Sequence, residues 1–83
     1  MQKTISSQET QVFLRLLRKA RENAGLSQMQ LAERLAETQS FVSKCERGER
    51  RLDVVELRAW CHALQISFSA FVAEFDQATQ RRR

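Results

Sequence analysis

The sequence contains no proline and only two glycines, Gly25 and Gly48, and no segment alternates apolar and polar residues as a strand would. Helices can therefore run without an internal breaker, and a sheet is excluded. Apolar runs never exceed a few residues, far short of the ~20 that span a bilayer, so no membrane partner is expected. The first ten residues, MQKTISSQET, hold one lysine and no apolar stretch, so no export signal is read and a cytoplasmic location is expected. Histidine occurs once, at His62, and cysteine twice, at Cys45 and Cys61. That is too little to build a zinc site, and both cysteines fall on apolar helix stripes, which predicts reduced, buried thiols. Neither a phosphate-cradling glycine loop nor a nucleophile with a nearby base is present. Catalysis, cofactors and metals are accordingly not expected.

What the chain does have is a series of helix starts. At 83 residues and 42% apolar content it is long enough for one domain with one small core. Residues 1–83 are read as a single unit with an ordered core over about 7–75 and a polar tail over 76–83; Met1 to Ile5 is expected to fray. Ser6 with Glu9, Ser27 with Gln30 and Asp53 with Glu56 have capping-box spacing, in which side chain and backbone satisfy each other's donors. Behind the first lies an apolar face of Phe13, Leu17, Ala20 and Ala24, ended by Gly25. The second opens a short helix with Leu31, Ala32 and Leu35. Thr38 is an N-cap for the next, whose buried edge is Val42 and Cys45 and whose end is Gly48. A loop over Glu49 to Leu52 leads to a fourth helix with Leu57, Trp60, Cys61 and Leu64. Ser67 caps a fifth, carrying Phe68, Phe71, Val72 and Phe75. The expected fold is all-α, a bundle of five helices.

Charge narrows the function. The net charge is +4, with a pI near 9.8. Alone, that excess only favours solubility. Its distribution says more, because Lys44, Arg47, Arg50 and Arg51 cluster where the third helix meets its loop, as phosphate contacts require. Arg81, Arg82 and Arg83 form either a phosphate tether or a solvated tail.

The stretch from Leu26 to Gly48, LSQMQLAERLAETQSFVSKCERG, resembles the helix-turn-helix core of the phage-repressor and Cro-like (XRE-type) DNA-binding family. The likeness runs from about Leu14 to Phe75 and rests on L-S-Q-x-x-L-A-E-x-L at Leu26 to Leu35 and S-x-x-E-R-G at Ser43 to Gly48. It implies a repressor-like bundle whose second and third helices form the helix-turn-helix, bound as a homodimer to double-stranded DNA. Ser27 and Gln28 would then meet phosphate at the start of helix two. Gln39 and Ser40, with Ser43 and Lys44 one turn on, would face base edges, and Arg47 would touch the backbone; the charge cluster adds Arg50 and Arg51 as phosphate contacts. Arg21 and Glu46 match a pair that ties helix one to the end of helix three. Three positions depart from the family pattern. Ala36 and Glu37 replace a glycine and an apolar residue in the turn, which implies a left-handed backbone near Ala36, and Cys45 replaces a larger apolar side chain, which implies an underfilled core.

Some roles stay open at this level. Gln39 suits a bidentate pair with adenine, whereas Lys44 suits either guanine or phosphate. Arg50 and Arg51 pair either with DNA or with Glu49 and Asp53. Arg21 and Glu46 form either a surface pair or a partly buried one. Phe71 and Phe75 serve as core or as dimer contact. The reading that follows is a sequence-specific, nucleoid-associated regulator of bacterial or phage type, a repressor with residues 39–47 in the major groove. An antitoxin or restriction-modification controller would use the same fold. A protein-interaction adaptor that does not bind DNA would instead show acidic or apolar residues at the start of the third helix. No small-molecule ligand is expected.

Overall fold

Each helix begins where a side chain can take up the orphan N–H groups of a first turn. A computed structural model of the chain describes residues 7–80, with five helices: α1 (Gln8–Asn23), α2 (Gln28–Leu35), α3 (Gln39–Arg47), α4 (Val54–Ala63) and α5 (Phe68–Gln80). The boxes at Ser27/Gln30 and Asp53/Glu56 both close reciprocally, and Thr38 accepts from the Phe41 amide. Ser67 accepts from the Ala70 amide at 3.1 Å. The α1 start departs from expectation. Its cap is Ser7, which accepts from the Thr10 amide and donates to the Thr10 hydroxyl, whereas Ser6 and the segment expected to fray lie outside the described residues.

Helix ends are set by left-handed residues. Gly25 and Gly48 lie at φ +76° and +82°, and Ala36 lies at φ +58°, ψ +41°, the conformation expected at the α2–α3 corner. Gln65, after α4, takes the same conformation at φ +59° with no glycine or asparagine to announce it. α5 also runs further than expected, to Gln80 rather than ending near Phe75. Polar side chains support the extra turn: the Thr79 hydroxyl donates to the Phe75 carbonyl at 3.1 Å, and the Gln80 amide donates to Asp76 at 3.1 Å.

The helix contacts make a ring. α1 packs on α3 and α5, α3 on α2, α2 on α4, and α4 on α5. Inside the ring lie Leu17, Leu31, Ala32, Val42, Cys45, Trp60, Cys61, Leu64 and Phe71, all buried. Leu35 and Leu57 are half-buried at its margin, and Ala24 is exposed beyond it. Both cysteines are unpaired, and desolvation pushes the Cys45 thiol up to about 11. Phe71 belongs to this core, only 5% exposed, with the Phe13 ring edge-on at 6.2 Å. It therefore offers no surface to a second chain, which corrects its assignment as a dimer contact. Phe75 is half-buried on the other side of Phe13, at 5.7 Å. Glu9 and the last turn of α5, from Phe75 to Gln80, line one shallow hollow, so the start of α1 and the end of α5 are neighbours.

Candidate nucleic-acid interface

A short helix can present side chains reproducibly only if its other face is anchored. α3 is anchored by Val42 and Cys45 in the core and, at its last turn, by Glu46. The Glu46 carboxylate accepts from Arg21 at two points, Nε to Oε2 at 2.6 Å and Nη2 to Oε1 at 3.1 Å. Arg21 also donates through Nη1 to the Leu26 carbonyl at 2.8 Å. The two side chains are 10% and 4% exposed, so the pair is shielded, with the fork geometry that makes arginine–carboxylate pairs strong. Its bond to Glu46 raises the Arg21 guanidinium further, so the cation persists.

Gln28 joins the same network. Its side-chain amide donates to Glu46 Oε1 at 3.0 Å, so that nitrogen serves the fold as well as any phosphate. A phosphate contact by this amide would therefore be shared with Glu46. The backbone N–H groups that open α2 still form the positive end of a helix dipole beside Ser27. Ser27 accepts from the Gln30 amide at 3.1 Å, which leaves its hydroxyl proton for donation. The α2–α3 corner is fixed from a third side by Arg34, which donates to the Ala63 carbonyl at 2.8 Å.

The outward face of α3 is differently disposed. Gln39, Ser40 and Lys44 are exposed, and none of their side chains hydrogen-bonds another described residue. Ser43, half-buried one turn from Gln39, accepts from Arg47. Arg47 also grips Glu49, Nε to Oε2 at 3.0 Å and Nη2 to Oε1 at 3.2 Å, and this bond holds the Glu49 carboxyl below its usual range. Arg47 is therefore an exposed cation already partnered by an acid.

Arg50 is not free either. It pairs with Glu56, Nη2 to Oε2 at 2.6 Å, donates to the Arg51 carbonyl, and lies over the Phe41 ring at 5.2 Å. Its hydrogen-bonded acid is Glu56, not the expected Glu49 or Asp53. Arg50 thus fastens the loop to α3 and α4, and, as for Arg47, a phosphate would have to share it with an acid. Arg51, exposed on the same loop, makes no side-chain hydrogen bond or ion pair with another described residue. The Arg81–Arg83 triplet lies outside the described residues.

The sequence alone gives no sign of the Arg50–Phe41 stack, the Gln28–Glu46 bond or the Arg34–Ala63 tie. Each joins residues on separate elements, and no local spacing marks it. Among the described residues no group of three metal-ligating side chains assembles, and no helix is long and apolar enough to cross a membrane.

With this geometry in place, similarity to known proteins becomes informative. A family model described as "Helix-turn-helix domain" matches residues 12–70. A solved structure titled "XRE-family like protein", from Pseudomonas syringae pv. tomato str. DC3000, superposes with a TM-score of 0.80 at 42% identity, covering 86% of this chain and 87% of that one. No curated protein matches.

Proposed function

Because this chain belongs to the XRE-type helix-turn-helix family, and is in that general sense a DNA-binding regulator, we propose that it is a repressor that binds a two-fold operator as a homodimer. α3 lies in the major groove, with Gln39, Ser40 and Lys44 toward base edges and Ser43 beside them. Ser27, the opening amides of α2, Arg47 and Arg51 take phosphates. The observation that carries this reading is the division of α3 into two faces. One is fixed by the core and by the Arg21–Glu46 fork, and the other offers, in Gln39, Ser40 and Lys44, side chains that hydrogen-bond no other described residue. Base readout needs such groups held in register. The protein acts by binding rather than by catalysis, in the cytoplasm.

With Phe71 sealed in the core, the dimer contact is better placed at the start of α4. Val54 and Val55 are its most exposed large apolar side chains, at 65% and 73%, and they follow the loop that leaves α3. Selection from a random duplex pool tests the whole reading. A two-fold site with half-sites centred about 10 base pairs apart is expected. An asymmetric site, or a single half-site filled by a monomer, would overturn it.

A further inference from the structure

A cavity of about 270 Å³ opens between the first half of α1, the end of α3 and the loop after it. Its walls are Phe13, Leu14, Leu52 and the side of Cys45, and the charged residues lining it are both cations, Arg50 and Arg51. Cys45, at a position where the family carries a larger apolar side chain, forms part of its wall. An engineered apolar cavity of about 150 Å³ holds a benzene ring, so this one has room for a ring and a small polar group. Arg50 is taken by Glu56 and Phe41. Arg51 has no such partner among the described residues, and no carboxylate lines the cavity to answer it. Thr10 adds a hydroxyl that accepts from Ser7 and retains its own proton. The Cys45 thiol stays neutral and does not repel an anion.

We propose that this cavity binds a small aromatic or short-chain monocarboxylate. The apolar part lies against Phe13, Leu14 and Cys45, and the carboxylate is held by Arg51 with Thr10. Such a ligand would also act on DNA binding, because it occupies a guanidinium assigned to phosphate and sits behind the last turn of α3. That coupling rests on the DNA-binding reading; the site itself does not.

Benzoate is a suitable probe, followed by amide chemical shifts of the whole protein. Saturable shifts centred on Cys45, Leu52 and Phe13 are expected. Benzyl alcohol, of similar shape without the charge, should bind about tenfold more weakly, the loss of one charge-assisted hydrogen bond. Arg51→Gln should bring benzoate down to the level of the alcohol. Cys45→Leu, which fills the space, should abolish both; if that variant fails to fold, Arg51→Gln alone decides. Absence of saturable shifts, or equal binding of the two probes, would overturn the site. In a second arm, benzoate at saturation should weaken DNA affinity several-fold beyond a chloride control of equal ionic strength. Binding of benzoate with DNA affinity unchanged would sink the coupling and leave the site standing. Failure to bind DNA at all would count against the DNA-binding reading alone.

Discussion

Single residues divide the binding face into readers and modulators. The Gln39 side chain hydrogen-bonds no other described residue, so its loss should be felt only where DNA answers it. Gln39→Ala is expected to cost about 1–3 kcal/mol at one preferred base and to relax discrimination there. Equal loss on specific and random duplexes, measured by fluorescence anisotropy, would contradict the assignment. Glu49 acts in the opposite sense. It occupies Arg47 at two atoms, and any phosphate must compete with it. Glu49→Gln should therefore tighten binding to all sequences and steepen the salt dependence by up to about one unit per half-site, since one more cation becomes available. A variant with an unchanged salt slope would mean that Arg47 does not reach the backbone. The same pair sets a direction in pH. Arg47 depresses the Glu49 carboxyl, so the contact is complete above the ordinary carboxylate range and is lost as pH falls through the lowered value.

At the scale of elements, the helix joints decide what the sequence can and cannot convey. Caps were legible because donor and acceptor lie three residues apart, as at Ser27/Gln30 and Asp53/Glu56. Where two serines adjoin, spacing alone could not choose, and the structure uses Ser7. The left-handed turn at Ala36 was legible from the tight corner, whereas the one at Gln65 was not, since nothing in its residue type demands it. Arg50 illustrates a wider limit. Its charge advertised DNA, but its partners, Glu56 and Phe41, are set by how α3 and α4 meet. The corner yields a direct test. A side chain at φ +58° costs on the order of 1 kcal/mol, and glycine would relieve it while adding about 0.4–1 kcal/mol of unfolded-state freedom. Ala36→Gly should thus raise the urea midpoint slightly, with DNA affinity nearly unchanged; a clear fall would show that the alanine methyl packs against something. The joint between α1 and α3 is stiffer. Removing Arg21 or Glu46 alone strands a shielded charge and should cost about 3 kcal/mol or more, while the double apolar exchange should cost much less. A double-mutant cycle with coupling under about 0.5 kcal/mol would place the pair in effect on the surface.

For the molecule as a whole, the apolar surface that remains after folding is the guide to assembly. Val54 and Val55 project at the start of α4, where an acid would suit the helix dipole. Val55→Asp should therefore leave the fold intact, convert a dimer to a monomer in sedimentation, and weaken operator binding far more than binding to random DNA. Phe75→Ala should lower stability, because the ring packs on Phe13, and leave the sedimentation unchanged. The reverse pattern would return the interface to α5. The circle of helix contacts has one more consequence. Since the first turn of α1 lines one hollow with the last turn of α5, the described backbone, residues 7–80, begins and ends on the same side of the bundle. Chain order and spatial order are thus largely decoupled. A short covalent bridge across that seam would restrict the unfolded chain without bending the native one, and new ends could then be opened at an exposed corner such as Ala24. Among the described residues the bundle is in this respect a closed circuit of helices, and the seam between α5 and α1 is one place among several where its path could be opened.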